Sequence, residues 1–149
     1  MTKLMPANLM RDVTAAFEQS DLRPLIEALH PDVIWKSASE EEGSLLRFGG
    51  THTGRDGVAK VLALIAADYH FRRFRPVEIV ESGEIAWGIF DAVIEHLPTV
   101  RQRLNAEAVA FKCAIRWRIR DGKILEHQAF FDTAAVQRAA EKKRDVDTP

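Results

Sequence analysis

The chain has 149 residues, of which 46% are hydrophobic and 29% charged, and we expect one globular domain over residues 1–149 with an extended core. Its 21 Lys and Arg nearly balance its 22 Asp and Glu, so no general attraction to nucleic acid or to anionic membranes is expected. No apolar run is long enough to span a bilayer, and the single cysteine cannot form an internal disulfide. A cytoplasmic location is therefore expected. Within the domain, we expect the folded core to cover about residues 8–140 and a charged tail to cover 141–149.

Three helices are predicted in the first half of the chain. The first covers residues 8–19. The second covers about residues 21–29, with Asp21 as its cap and Pro24 in its first turn, where a missing N–H costs little. The third begins near residue 53. Apolar residues at helical spacing are expected to face inward; they are Leu9, Val13, Ala16, Phe17, Leu22, Leu25, Ile26, Leu29, Val58, Val61, Leu62 and Ile65.

A strand and a loop separate the second and third helices. Residues 32–37 alternate so that Val33, Trp35 and Ser37 share one face of a strand. The segment 39–44 is polar and acidic, and we interpret it as a mobile flap over the mouth of a pocket.

Strands are also predicted at residues 72–81 and 85–96, followed by a hairpin loop at 97–103. The strand at 85–96 is apolar on both faces, unlike a strand with one face in water. Helices can cover only one face, so the other face is expected to pack on a second copy of the chain. The sequence therefore predicts a homodimer through the face that carries Trp87 and Ile89.

The longest regular pattern is a hairpin near the C terminus. Residues 109–120 alternate between apolar and polar side chains, Asp121 and Gly122 have the composition of a tight turn, and residues 123–131 form the return strand. A short helix at 134–140 follows. Asp132 is expected to cap it, and we favour that structural role over a catalytic one.

Four segments of the chain resemble a known superfamily in their order and spacing. They are HPDVIW at 30–35, GRDGV at 54–58, RIRDGKI at 118–124 and FFD at 130–132. The chain is similar to the nuclear transport factor 2-like superfamily, most of all to its SnoaL-like and limonene-epoxide-hydrolase-like branches. This resemblance implies an α+β cone, or cystatin-like roll: a strongly curved mixed or antiparallel sheet, three N-terminal helices closing its concave side, a short C-terminal helix and an internal pocket.

Alternation along the strands indicates which residues would face that pocket. The candidates are aromatic or small apolar residues with very few polar groups, a lining that favours a flat, apolar or aromatic small molecule. The alternative is that these side chains meet and fill the space as core. The candidate ligand-binding residues are Trp35, Ser37, Phe90, Ala92, Phe111, Cys113, Ile115, Ala129 and Phe131.

The resemblance does not extend to the catalytic groups of limonene-epoxide hydrolases. Those enzymes use an arginine and two aspartates, at positions that correspond to Phe90, Ala92 and Ala129. The tyrosine and asparagine that hold the water correspond to Trp35 and Ser37. Because the groups that would give and take a proton are absent, epoxide hydrolysis by that mechanism is not expected.

Other reactive side chains have ordinary structural roles available. Asp91 lies one residue from a catalytic position of the limonene-epoxide hydrolases, so its side chain is expected on the opposite face of the strand. Pairing with Lys112 is therefore favoured over catalysis. Cys113 is expected to be an inert packing thiol rather than a nucleophile. The arginines at 72, 73, 75, 116, 118 and 120 could suggest RNA binding. Because the net charge is balanced and acidic residues are interleaved, we expect them to form a solvated, salt-bridged face instead.

His127 is the candidate catalytic residue, because alternation places it on the pocket side with Ala129 and Phe131. It could act as a general acid or base, or donate a hydrogen bond to a ligand; a core histidine bonded to a neighbouring element is the alternative. The five histidines lack metal-ligand spacing, so no metal site and no other cofactor are expected. Two functions stay open: a cofactor-independent isomerase, cyclase or hydratase acting on an apolar metabolite, or a non-catalytic ligand-binding or protein-interaction module.

Overall fold

The computed structural model describes residues 5–38, 48–98 and 108–140. The flap predicted at 39–44, the tail at 141–149 and residues 99–103 of the predicted hairpin loop lie outside these ranges, whereas Leu97 and Pro98 are helical. The described elements, in chain order, are α1 (Pro6–Glu18), α2 (Arg23–Ala28), β1 (Leu29–Lys36), β2 (Thr51–Thr53), α3 (Gly54–Asp68), β3 (Tyr69–Ser82), β4 (Ile85–His96), β5 (Val109–Arg120), β6 (Lys123–Phe131) and α4 (Thr133–Ala140).

The strands form one mixed, strongly curved and unclosed sheet in the order β2-β1-β6-β5-β4-β3. All neighbours are antiparallel except β1 and β6, which run parallel. The edge strand β3 contains Pro76 and two irregularities in its pairing with β4. Proline is tolerated at an edge because no further strand needs its N–H. The predicted α+β cone with a short C-terminal helix is confirmed.

The hairpin of β5 and β6 forms as the sequence predicts. Asp121 and Gly122 have φ values of 55° and 73°, the left-handed pair that a two-residue turn requires, and glycine adopts this conformation without strain. Alternate residues of β5 are buried on the concave side of the sheet; they are Val109, Cys113, Ile115, Trp117 and Ile119.

Helices cover the concave side. α1 packs on β3, β4 and β5, α2 on α1, α3 mainly on β1 and β2, and α4 on β4 and β5. Gly88 of β4 permits a close approach of α1: a Cβ atom there would lie 2.5 Å from Cε2 of Phe90 and 2.8 Å from Sδ of Met10. Glycine at this position therefore lets α1 pack closely on the middle of the sheet.

Strand pairing moves two predicted boundaries. β1 begins at Leu29, where the chain leaves α2 in an extended conformation, and Leu29 pairs with Ile124 of β6. β3 begins at Tyr69 rather than residue 72, because β4 is long enough to pair Tyr69 with His96. The three-residue strand β2 is too short to show any alternation in the sequence.

Two expectations for α2 are wrong. Its N-cap residue is Leu22 rather than Asp21. The Asp21 carboxylate instead accepts a hydrogen bond of 3.2 Å from the N–H of Arg23, the first residue of the helix. Ile26 is 38% exposed rather than inward, since in a six-residue helix the neighbouring Leu25 already occupies the buried face.

Two predicted contacts of acidic residues are confirmed. The Asp91 carboxylate accepts a hydrogen bond from Nζ of Lys112 across the β4–β5 pair. Asp132 Oδ1 accepts from the Ala135 N–H at 3.1 Å and so caps α4.

Within the three described ranges, no helix has the length and apolar character needed to cross a membrane.

Candidate ligand-binding site

Three neighbouring strands place Trp35, His127 and Trp117 in one row on the concave face. β1 pairs with β6 so that Trp35 lies opposite His127, and β5 pairs with β6 so that Trp117 does so from the other side. The Trp35 ring is parallel to the imidazole, with centroids 3.5 Å apart and planes inclined by 5°. Trp117 Nε1 donates a hydrogen bond of 2.9 Å to His127 Nδ1. The imidazole is thus fixed by a stack on one side and a hydrogen bond on the other.

These contacts decide the protonation state of His127. An indole N–H only donates, so Nδ1 must present a lone pair, and the proton of the neutral ring is on Nε2. The residue is 5% exposed, and this burial lowers the pKa of His127 to about 3. Within the described ranges, no protein group accepts a hydrogen bond from Nε2. At neutral pH the side chain is therefore a hydrogen-bond donor with a fixed tautomer, and a weak base.

The next row along the sheet contains Ser37, Ala129 and Ile115. Ile115 pairs with Ala129, and Ser37 extends β1 by one position beyond Lys36, which pairs with Gln128. The Ser37 N–H donates to the Gly50 carbonyl at 3.1 Å, so the backbone is satisfied. Its side chain is not. Ser37 is 8% exposed, and its Oγ is the buried side-chain atom of the described residues that has no hydrogen-bond partner.

A cavity of about 110 Å³ lies between these rows and the helices. Its walls are mostly aromatic and aliphatic, and the Thr14 hydroxyl in the wall is already satisfied by a 2.6 Å hydrogen bond to the Met10 carbonyl. Ser37 Oγ and His127 Nε2 are two polar atoms of wall residues that have no hydrogen-bond partner among the described residues. Eight residues singled out in the sequence line the cavity: Trp35, Ser37, Phe111, Cys113, Ile115, His127, Ala129 and Phe131.

Phe90 and Ala92 lie on the expected face but do not line the cavity. Phe90 is fully buried and stacks on Phe74 of β3, with ring centroids 4.8 Å apart and planes inclined by 9°. Ala92 lies between Phe74 and Phe111 in the strand pairing and is 1% exposed. Larger side chains from both neighbouring strands therefore stand between these two residues and the cavity.

The helices and β3 supply most of the cavity wall that strand alternation could not indicate. The buried stripes of α1 and α3 contribute Val13, Phe17, Leu62 and Ile65, which the helical spacing had already placed inward. Tyr69 and Phe71 belong to the first residues of β3, which the sequence-based boundary excluded. Phe48, just after the acidic segment, is buried and packs edge-on against Tyr69 at a centroid distance of 5.7 Å.

Cys113 is a wall residue with little reactivity. It is 5% exposed, and burial raises the pKa of its thiol to about 12. Because the thiolate is the nucleophilic form, almost none of the reactive species is present at neutral pH. Cys113 contributes a small apolar surface to the cavity.

The curved sheet, the helices on its concave side and the apolar cavity between them define a nuclear transport factor 2-like protein. Residues 10–127 match the model of the SnoaL-like domain. The chain therefore belongs to the SnoaL-like family of that superfamily. No curated protein matches the chain.

Solved structures agree with this assignment. A nuclear transport factor 2-like protein of unknown function from Burkholderia pseudomallei is 27% identical, with a TM-score of 0.71 over 88% of this chain and 93% of that one. Another such protein, from Burkholderia thailandensis, is 18% identical, with a TM-score of 0.75 over 93% and 99%. TerC, co-crystallised with polyporic acid, is 22% identical, with a TM-score of 0.70 over 88% and 94%.

Proposed function

We propose that this protein binds a small, uncharged, apolar or aromatic molecule in the cavity, with His127 donating one hydrogen bond to it. The observation that carries this proposal is the pairing of an apolar wall with a neutral imidazole whose Nε2 has no partner among the described residues. Sites of this kind use their apolar wall for affinity and a few polar groups for orientation. The similarity to TerC, which was crystallised with polyporic acid, supports a small organic ligand.

The volume of the cavity favours a ligand of about one ring. A cavity of about 150 Å³ lined by aliphatic and aromatic side chains is known to accept benzene, whereas drug-sized ligands occupy about 300–1,000 Å³. The 110 Å³ found here belongs with the first class. Planar hydrophobes of steroid, terpenoid or polyketide size, which the lining alone would suggest, exceed this volume.

Binding is better supported than catalysis. Proton transfer needs an acid or base whose pKa lies near the working pH, and the described wall residues include no carboxylate. An isomerase, cyclase or hydratase is the second candidate, favoured by one observation: a neutral imidazole donor can polarise a ligand carbonyl. Incubation of the protein with a cyclic enone, followed by NMR for isomerised or hydrated product, distinguishes this second candidate from binding alone.

Filling the cavity tests the binding proposal. Benzene and toluene should raise the melting temperature of the wild type in proportion to ln(1 + [L]/Kd). Ala129→Trp should remove the effect because its side chain occupies the space between Ser37 and Ile115. Ala110→Trp, on an exposed position of the same hairpin, is the matched control and should respond like the wild type. If no compound shifts the wild-type melting curve, or if a folded Ala129→Trp responds unchanged, the proposal is wrong.

We also propose that the protein forms a homodimer through the convex face of the sheet. Trp87 and Ile89 of β4 are 41% and 42% exposed in the single chain. The apolar surface continues across Ala114 to Phe130, whose ring lies 6.1 Å from that of Trp87, nearly parallel to it. A contiguous exposed apolar patch is characteristic of an interface, and a two-fold axis buries the same patch on both subunits.

A further inference from the structure

Ser37 Oγ and His127 Nε2 belong to residues on the same face of adjacent strands. Ser37 is two residues beyond Trp35, which pairs with His127, so Ser37 lies opposite Ala129 and is a diagonal neighbour of His127. A strand spacing of about 4.8 Å and a two-residue rise of about 6.6 Å put their Cα atoms about 8 Å apart. A serine, an imidazole and one intervening oxygen can bridge that separation with two hydrogen bonds of about 2.8–3.0 Å.

The two atoms make different demands on a ligand. His127 Nε2–H can only donate, because the Nδ1 lone pair is already used by Trp117. Ser37 Oγ can donate or accept, and its burial without a partner leaves the cost of desolvation uncompensated. A ligand hydroxyl satisfies both atoms at once, since its oxygen accepts a hydrogen bond from His127 Nε2 while its O–H donates a hydrogen bond to Ser37 Oγ.

We infer that the ligand of this cavity is a neutral phenol: one aromatic ring whose hydroxyl lies between His127 Nε2 and Ser37 Oγ. This inference rests on the proposed binding function and adds the identity of the polar group. The ring occupies the apolar part of the cavity against Phe111, Ile115 and Phe131. The small Ala129, next to both polar residues, leaves room for the hydroxyl.

Charged groups and bare hydrocarbon rings fit the same site less well. A carboxylate would be buried without a cation, because the described wall residues include no lysine or arginine. An ammonium group would face the N–H of His127, which cannot accept its proton. A hydrocarbon ring would leave both protein atoms unsatisfied.

Phenol and toluene form a matched pair for the test, since they differ by a hydroxyl in place of a methyl group. We would titrate each into the full chain at pH 7 and follow the indole N–H signals by NMR. The Trp117 indole bonds His127 directly and reports on the site, whereas Trp87, on the opposite face of the sheet, reports on binding away from the cavity.

Ser37→Ala should lower the ratio of phenol affinity to toluene affinity about three- to tenfold, the effect of one neutral hydrogen bond. Toluene affinity should change by less than about twofold. The exposed Ser82→Ala is the control and should keep the wild-type ratio. Unliganded Ser37→Ala should melt no lower than the wild type, because its hydroxyl has no partner to lose; that measurement also shows that the variant is folded.

Each result decides the inference. If phenol and toluene both move the Trp117 signal but their affinity ratio is the same in Ser37→Ala, the phenol inference is overturned while the proposed apolar binding stands. If toluene binds and phenol does not, the phenol inference is likewise overturned while the proposed apolar binding stands. If neither compound moves the Trp117 signal, the proposed function fails and the inference fails with it.

Discussion

His127 should make the free energy of unfolding depend on pH just below neutrality. Burial lowers its pKa from 6.5 to about 3 in the folded protein. Between these values the unfolded chain binds a proton that the folded chain does not, so the stabilisation is fully present above about pH 6.5 and falls as the pH drops toward 3. One such group gives a slope of about 1.4 kcal/mol per pH unit, and the loss between pH 7.5 and pH 5 amounts to about 2 kcal/mol.

Two contacts of the ring act on this pKa in opposite directions. The parallel stack on Trp35 favours an imidazolium by about 0.5–2 kcal/mol. Protonation of Nδ1 would break the 2.9 Å hydrogen bond from Trp117 and set two N–H groups against each other. Burial and the Trp117 contact together outweigh the stack. Because pH 7.5 and pH 5 both lie well above 3, the expected loss depends little on how low the folded pKa lies.

Urea unfolding at pH 7.5, 6 and 5 measures this effect. The loss of about 2 kcal/mol should occur in the wild type and disappear in His127→Gln, whose amide oxygen can still accept from Trp117. The exposed His70→Gln is the control and should keep the wild-type slope. Arg120 and Arg116 hold the pKa values of Glu84 and Glu126 below their usual 4.5, so these carboxyls lose stabilisation only at lower pH. Equal pH dependence in wild type and His127→Gln would refute a neutral, buried imidazole.

Two further predictions concern α1 and the convex face. Gly88→Ala should lower the free energy of unfolding by about 1–3 kcal/mol in urea, because the new Cβ would lie 2.5 Å from Phe90, whereas Gly57→Ala, in open space on α3, should be neutral or stabilising. Light scattering should give twice the 16.8 kDa chain mass for the wild type and the single-chain mass for Ile89→Glu, since a buried unpaired charge costs several kcal/mol. A monomeric wild type at micromolar concentration would contradict the dimer.

Alternation in the sequence indicates which face of a strand is buried, and the structure agrees along β5 and β6. Alternation over β5 and β6 correctly placed Cys113, Ile115, His127 and Ala129 on the concave side, because a period of two leaves no other arrangement once one face is dry. The Asp121-Gly122 turn then fixed the register between the two strands. Local chemistry is sufficient for these features.

Whether a residue of the concave face reaches the cavity is a different property, and strand alternation does not predict it. Phe90 and Phe111 both belong to the concave face, yet only Phe111 lines the cavity, because Phe74 from the next strand stacks on Phe90. The start of β3 at Tyr69 is set by its partner His96, twenty-seven positions later in the sequence. The partners in both cases are set by pairing between distant segments, which single-sequence patterns do not encode.

The two wall residues whose pKa values are shifted, His127 and Cys113, favour the proposed binding function over proton transfer. Burial lowers the pKa of His127 to about 3 and raises that of Cys113 to about 12, so both pKa values lie far from neutral pH, one below it and one above it. An acid–base catalyst requires the reverse, a pKa brought near the working pH. At pH 7 the imidazole and the thiol both stay neutral and keep their protons, which gives the ligand one donor of fixed orientation. These two side chains of the described wall are therefore suited to packing and hydrogen bonding rather than to proton transfer, which agrees with the proposed binding function.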